Sequence, residues 1–201
     1  NLAEAAYAAV ILKIEDMIHH QTEIDPQYLS RALSVVENTM DQAGLDPRVY
    51  GLAGRLLGNI AMTGNKPDLS ERAFEWLRDA AQQPRLHDPD AYESVVVQME
   101  RFVLSNSRLK EEAFSILFTA LSQESLSPVN RAVIVRALGN VAVARVQYAK
   151  AVLDRLVTML LAEPQAGPAS WELISAIGNL SRNQSALIHI EAFLEDLAEQ
   201  N

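Results

Sequence analysis

The sequence predicts an all-α fold built from helix pairs, and three observations lead to this prediction. Apolar residues recur at three- and four-residue spacing in segments of about 15 to 20 residues, and no segment alternates as a strand would. Proline and glycine interrupt the chain at regular places, and a short string recurs along it. Aromatic residues make up only 6%. The core must therefore come from Leu, Ile, Val and Ala, and Ala and Leu in particular favour packed helices.

The breaks in the chain mark the predicted helix ends. Proline fits the first turn of a helix, and an Asp or Ser just before it fits the N-cap. Asp25-Pro26, Asp88-Pro89 and Ser127-Pro128 show this pattern. We therefore predict ten helices, near 2–20, 26–43, 47–63, 68–83, 88–105, 109–123, 128–145, 147–162, 168–182 and 186–199.

A five-residue string reveals an internal repeat. Leu57-Gly58-Asn59-Ile60-Ala61 recurs as Leu138-Gly139-Asn140-Val141-Ala142 and as Ile177-Gly178-Asn179-Leu180-Ser181. Asn140 and Asn179 are 39 residues apart and Asn59 and Asn140 are 81 apart, so another copy is expected midway, in segment 95–121, with Arg101 at the Asn position. A two-helix period near 40 is typical of an α-solenoid, in which neighbouring pairs share one core.

We accordingly predict a single domain, a right-handed α-solenoid of about five antiparallel helix pairs. The pairs are expected near 1–44, 45–84, 85–124, 125–163 and 164–201. Because the chain has no initiator methionine and closes on a helical-looking segment, it is expected to be a fragment of a larger protein.

The recurring string, followed by a helix such as Val152 to Leu161, resembles the armadillo repeat and, more broadly, the HEAT/armadillo superfamily. In armadillo repeats such a string ends the third helix, and its Asn binds the backbone of an extended peptide on the concave face. The resemblance implies that role for Asn59, Asn140 and Asn179. Segment 57–84 loosely suggests a tetratricopeptide repeat instead, but a 39-residue spacing is too long for that 34-residue unit.

The candidate binding residues form what we call the Arg–Asn stripe. Arg and Asn lie four residues apart in two copies of the repeat, so each pair shares one helix face. Functionally, the stripe offers donors to a peptide backbone, carboxylates or phosphates. Structurally, its Asn residues cap or bridge neighbouring helices, and its Arg residues are merely solvated. The predicted stripe comprises Arg55, Asn59, Arg101, Arg136, Asn140 and Asn179.

The glycine in each copy of the string is the basis of a packing prediction. A glycine costs roughly 1 kcal/mol in a helix interior, so its recurrence indicates a packing reason. We predict that Gly58, Gly139 and Gly178 lie at close contacts between helices.

Charge bears on the class of partner. The formal net charge is -9, and nucleic acid usually needs a broad basic surface, so nucleic acid is an unlikely partner. Residues 127–163 nevertheless carry five basic and two acidic groups, which we call the basic segment. Phosphate or nucleic-acid binding through this segment and the Arg–Asn stripe is one alternative function. A regulatory accessory domain of a larger enzyme is the other.

The motif content favours a binding protein over an enzyme. There are no cysteines, no His-Glu-x-x-His, no Gly-x-Ser-x-Gly and no phosphate-cradling glycine loop, so we expect no catalytic residues, cofactor or metal. No run reaches the roughly 18 apolar residues of a membrane span, and the absence of cysteine favours the cytoplasm or nucleus. The leading hypothesis is a non-catalytic scaffold whose concave face binds a peptide or another protein.

Overall fold

Helices account for all of the regular structure in the part of the chain that can be described. The computed structural model describes residues 2–20, 26–63, 67–82, 86, 88–105, 107–123, 125–162 and 168–181, and within these ranges it contains no strand. The helices are α1 Leu2–His20, α2 Pro26–Met40, α3 Pro47–Thr63, α4 Pro67–Gln82, α5 Pro89–Leu104, α6 Lys110–Ala120, α7 Pro128–Ala144, α8 Val146–Ala162 and α9 Pro168–Ser181. The all-α prediction is confirmed for these residues. The tenth predicted helix, 186–199, lies outside them.

The helices begin where the prolines predict. Six of the described helices have proline as their first residue, a position where its missing N–H costs nothing because that group has no partner within the helix. Side chains before the helices add caps. Ser127 Oγ accepts from the Asn130 N–H at 3.1 Å, and Asp88 Oδ1 accepts from the Asp90 N–H at 3.0 Å.

Two helices, α2 and α6, end three residues earlier than predicted because their last turns tighten. After α2, the Gln42 N–H donates to Thr39 O, and the chain reaches Gly44, whose φ of 76° suits glycine. After α6, the N–H groups of Ser122 and Gln123 likewise donate three residues back. Such i→i+3 bonds are common where an α-helix stops. Apolar periodicity continues through these turns, which is why the predicted helices extend beyond the observed ones.

The chain divides into two compact units, residues 1–98 and 99–201, with the boundary inside α5. In the first unit, α3 packs against α1, α2 and α4, and α2 also contacts α4. In the second unit, α7 packs against α6, α8 and α9, and α8 also contacts α9. One helix is therefore central in each unit, and these two helices, α3 and α7, carry the first two copies of the Leu-Gly-Asn string.

Each unit has a core made mainly of aliphatic side chains, as the composition predicts. Leu56 and Leu57 are fully buried in the first unit, and Leu138 and Val141 in the second. The largest fully buried side chains nevertheless include Tyr50, Tyr92 and Phe102. Both tyrosines keep a hydrogen bond, which lets a polar hydroxyl be buried without a large penalty. The Tyr92 hydroxyl donates to Ala81 O at 3.1 Å.

The glycine prediction holds at two of three positions. A Cβ added to Gly58 would lie 2.3 Å from Gln98 Oε1, and one added to Gly139 would lie 2.8 Å from the Ala176 Cβ. These glycines therefore sit at close contacts of α3 with α5 and of α7 with α9. At Gly178 the described part of the chain gives no close contact, because an added Cβ would meet none of the described residues within 4 Å. Gly54, which lies outside the recurring string, also packs closely, since a Cβ added there would lie 3.0 Å from the Ser94 Cβ.

Candidate functional site: two carboxylate clamps and a groove

The residues of the predicted Arg–Asn stripe lie at the surfaces of α3, α5, α7 and α9. Arg55, Arg101, Arg136, Asn140 and Asn179 are exposed, and Asn59 is half-buried. Within α3 and within α7, the Arg and Asn are one helical turn apart and point to the same side, as predicted. The groups that contact these side chains determine whether they serve the fold or can bind a partner.

On α3, the pair holds a glutamate of α1. Arg55 Nη2 donates to Glu15 Oε2 at 2.8 Å, and Asn59 Nδ2 donates to Glu15 Oε1 at 3.2 Å. The Glu15 side chain is only 16% exposed, whereas that of Arg55 is 48% exposed. Both carboxylate oxygens therefore have a donor on the neighbouring helix, one of them charged. Charge-assisted hydrogen bonds of this kind are stronger than neutral ones.

On α7, the equivalent pair faces a glutamate near the end of α5. Asn140 Nδ2 donates to Glu100 Oε1 at 3.1 Å, and the charge of Arg136 acts on the same carboxylate. Burial raises the pKa of Glu100, while the Asn140 hydrogen bond and the Arg136 charge lower it, and the net effect is upward. The cost of removing the Glu100 carboxylate from water thus outweighs the stabilisation that Arg136 and Asn140 give to its charged form.

We call these two arrangements the carboxylate clamps. In both, an Arg and an Asn four residues apart face a glutamate from a helix earlier in the chain. The Arg–Asn pairs are 81 residues apart, but the glutamates are 85 apart. Relative to its Arg–Asn pair, the glutamate of the second clamp therefore lies one helical turn further along its own helix. Because each Arg–Asn pair spans one helical turn, it can still reach that glutamate. The sequence signal for these clamps is an acidic residue about 40 residues before each Asn. This signal can be recognised only by comparing residues that are about one repeat length apart.

Two residues of the stripe belong to neither clamp. Arg101 lies on the exposed surface of α5, and Asn179 lies on the exposed surface of α9. The structure thus brings four of the six predicted residues into two clamps, one in each unit.

Several side chains of the basic segment bind groups of the chain itself. The Arg145 guanidinium donates to the carbonyl of Leu104, at the end of α5, where a cation also suits the helix dipole. Arg155 Nη2 donates to Ser122 Oγ at 2.6 Å. Lys150 Nζ lies 3.4 Å from Asp154 Oδ2. These contacts favour structural roles for the three cations.

An arginine of α4 that no sequence pattern singled out joins α4 to α2. Arg72 donates through Nε and Nη2 to the two oxygens of Glu37, at 3.1 and 2.5 Å. Its Nη1 and Nη2 also donate to Ser30 Oγ and Ser34 Oγ. Ser30, Ser34 and Glu37 lie on one face of α2 at four- and three-residue spacing, so one planar guanidinium reaches them all. The sequence shows the spacing of Ser30, Ser34 and Glu37, but it does not show which helix packs against them.

A shallow groove lies between α3 and the first half of α5, within the first unit. It has a volume of about 240 Å³ and is lined by Pro47 and Gly51 from α3 and by Asp90, Glu93, Ser94, Val97 and Gln98 from α5. Val97 is 43% exposed. Neither unit has, among its described residues, a group of three or more His, Cys, Asp or Glu side chains placed to hold a metal ion.

Comparison with known proteins finds no family model, no curated protein and no solved structure that matches the chain. Among the described helices, none is both long and apolar enough to cross a membrane.

The raised pKa of Glu100 leads to a prediction about stability. Replacing Glu100 with Gln is expected to raise the melting temperature slightly at pH 7, because the amide still accepts from Asn140 without a buried charge. A carboxyl whose pKa is raised on folding stabilises the fold below its ordinary pKa of 4.5, and that contribution is lost as the pH rises through the folded value. The advantage of Glu100→Gln should therefore vanish near pH 4.

Melting curves between pH 4 and pH 7 check this expectation. Glu71→Gln, at an exposed position of α4, removes the same charge and serves as the control. A Glu100→Gln variant that melts below the parent at pH 7 would show that the charged form of Glu100 is favoured by the fold.

Proposed function

We propose that the chain is a non-catalytic scaffold of HEAT/armadillo-like helical repeats, and that each unit is a segment of α-solenoid that binds another protein. The observation that carries this proposal is the recurrence of contacts about 40 residues apart. Glu15 meets Arg55 and Glu100 meets Asn140, and in each case the sequence separation is 40. Gly54 meets Ser94 at the same separation. Repeats that touch only their neighbours produce this pattern.

Helical repeats of this kind expose a row of helices on which partners can dock. The helices that take this place here are the odd-numbered ones. In the first unit they are α3, which carries part of the Arg–Asn stripe, and the first half of α5; in the second unit they are the end of α5, α7 and α9, which carry the rest of the stripe. Exposed apolar side chains lie among the polar ones, for example Val97 on α5, Val143 on α7 and Ile174 on α9. Apolar contacts surrounded by polar groups are what a partner interface needs.

We also propose a division of roles on these helices. The clamp residues hold neighbouring helices together, since their donors already serve Glu15 and Glu100. The partner is bound by the exposed side chains beside the clamps. The internal contacts of Arg145 and Arg155 favour a protein partner over phosphate or nucleic acid.

Site-specific photo-crosslinking in cell extract tests the proposal. A photoreactive amino acid is placed at Val97 or Val143, on the odd-numbered helices, and at the exposed positions Glu75 of α4 or Thr119 of α6 as controls. We expect a discrete protein adduct from Val97 or Val143 and a weaker or absent one from the controls. Adducts only from α4 and α6, or none from Val97 and Val143, would contradict binding through the odd-numbered helices.

A further inference from the structure

A cavity lies between α6 and α8, within the second unit. It has a volume of about 350 Å³ and is lined by Phe118 from α6 and by Ala151, Asp154, Arg155 and Thr158 from α8. The four residues of α8 follow one another at three- and four-residue spacing, so they share one face of that helix. Sites for small molecules usually have volumes of roughly 300 Å³ or more. The cavity is therefore large enough to hold a small ligand.

The wall of this cavity contains a hydrogen-bond donor and an acceptor that have each lost water without gaining a partner. Arg155 Nε and Asp154 Oδ1 are both buried, and neither has a hydrogen-bond partner among the described residues. Arg155 makes its contact through another atom, since Nη2 donates to Ser122 Oγ at 2.6 Å. In Asp154 it is Oδ2 that lies 3.4 Å from Lys150 Nζ. Because buried polar groups are nearly always paired, the two atoms indicate a ligand that supplies both partners.

The aromatic side of the cavity is the end of a row of three rings. The Tyr148 ring stacks on that of Phe114, with centroids 4.1 Å apart and planes inclined by 19°. The centroid of Phe114 is in turn 5.6 Å from that of Phe118, which is half-buried and lines the cavity. A further ring placed against Phe118 would extend the row, since aromatic rings attract one another at such distances. The cavity thus combines an aromatic surface with two unpaired polar atoms.

A primary carboxamide is the simplest group that pairs with both polar atoms. Its oxygen accepts from Arg155 Nε, and its amino group donates to Asp154 Oδ1. A carboxylate has no proton to donate to Asp154, and an amidinium has no acceptor for Arg155. A backbone amide fits less well, because its C=O and N–H point in opposite directions across the trans peptide bond. Asp154 and Arg155, by contrast, line the same cavity.

We propose that the cavity between α6 and α8 binds a small aromatic molecule that carries a primary carboxamide. The ring of the ligand packs on Phe118, and its carboxamide joins Arg155 Nε to Asp154 Oδ1. The Asp154 side chain is 41% exposed as a whole, so a turn about its Cβ–Cγ bond presents Oδ1 to the ligand. Arg155 keeps its hydrogen bond to Ser122, which holds the guanidinium in place. This site goes beyond the proposed function, because it lies on different helices from the proposed partner surface.

Three probes of the same shape test the proposal on the full chain labelled with nitrogen-15. Benzamide offers a donor and an acceptor, benzoate only acceptors and benzamidine only donors. We expect benzamide to shift the amide resonances of Phe118, Asp154 and Arg155 in a saturable way. Benzoate and benzamidine should bind at least about tenfold more weakly, because each leaves one buried polar atom unpaired.

The proposal is overturned if benzamide shifts none of these resonances, shifts only those of other residues, or binds no better than the other two probes. A glutamine-containing peptide capped as the N-methylamide distinguishes the source of the carboxamide. Binding of this peptide without binding of benzamide would assign the site to a protein side chain and overturn the small-molecule proposal.

Variants of the two polar residues complete the test. Arg155→Lys removes Nε but keeps the charge, and it should weaken benzamide binding about tenfold, a usual effect of losing a buried hydrogen bond to a charged group. Arg108→Lys makes the same change at an exposed position and should bind like the parent. Asp154→Asn should improve the binding of benzoate, because the new amide can donate to it. Unchanged benzamide binding by Arg155→Lys, or unimproved benzoate binding by Asp154→Asn, would contradict the site.

Discussion

Replacing Gly139 with leucine is expected to lower the free energy of unfolding by about 1–3 kcal/mol, the usual range for overpacking. Even a single carbon added at Gly139 would lie 2.8 Å from the Ala176 Cβ. Ala176 is buried, and its methyl group has no rotamer that would move it away. The α7 and α9 backbones would have to separate to admit the larger side chain. Urea unfolding of the two proteins measures the loss.

A matched pair of alanine variants isolates this contact. Gly178→Ala makes the same chemical change in α9 at a place where the new Cβ meets none of the described residues within 4 Å. There the alanine should gain helix propensity of up to about 1 kcal/mol. Gly139→Ala should show no such gain. If Gly139→Leu unfolds at the same urea concentration as the parent, the contact between α7 and α9 is not tight.

The second large effect is expected at the clamp on α7. Replacing both Arg136 and Asn140 with alanine should lower the free energy of unfolding by about 1–3 kcal/mol, the cost of leaving a buried polar group without its partner. The group concerned is Glu100, which is half-buried and accepts from Asn140. Surface side chains without structural roles usually change stability by no more than about 0.5 kcal/mol. Thermal melting separates the two cases.

A control pair is available on the neighbouring helix of the same unit. Ser115 and Thr119 are exposed on α6 and are also four residues apart. Changing both to alanine should leave the melting temperature nearly unchanged. If the Arg136 and Asn140 double variant melts like this control but loses the photo-crosslinked adduct, the pair binds the partner directly, the role that the armadillo resemblance implies for Asn140.

Helix positions were the most predictable part of the fold, for a local reason. Proline fixes its own φ and disfavours a helical conformation in the residue before it, so helix starts at Pro47, Pro89 and Pro128 are set by a few neighbouring residues. The end of α2 was less predictable. It depends on the turn at Gly44, whose N–H donates to Asp88 Oδ2 at 3.0 Å, 44 residues away.

The sequence predicts which site residues share a face within one helix, but not which residues of different helices meet. Arg136 and Asn140 were placed on one face of α7 because periodicity within a helix fixes this. Their acceptor Glu100 was not found, because which residues of two helices meet depends on how the helices pack. The same limit explains Gly178. Its string matches those of Gly58 and Gly139, but a close contact needs an atom facing the glycine, and a Cβ added at Gly178 would meet no atom of the described residues within 4 Å.

Tyr50 shows the same limit in the core of the first unit. Its hydroxyl donates to Gln42 O at 2.6 Å, accepts from the Leu45 N–H at 3.1 Å, and lies 3.3 Å from Asp88 Oδ2. Burial and the nearby carboxylate raise the pKa of Tyr50. The α2–α3 turn and the start of α5 are thus joined through one hydroxyl. No local sequence pattern distinguishes this tyrosine from an exposed one.

The claim that the Arg–Asn pairs serve the fold is tested most directly by a mutant cycle on the α7 clamp. The free energy of unfolding is measured for the parent, Glu100→Ala, the Arg136→Ala and Asn140→Ala double variant, and the triple variant. We predict a coupling of at least about 1 kcal/mol, within the range found for residues in contact. The double change should then cost little once Glu100 is gone. Effects that add to within about 0.3 kcal/mol, as for independent sites, would contradict the clamp.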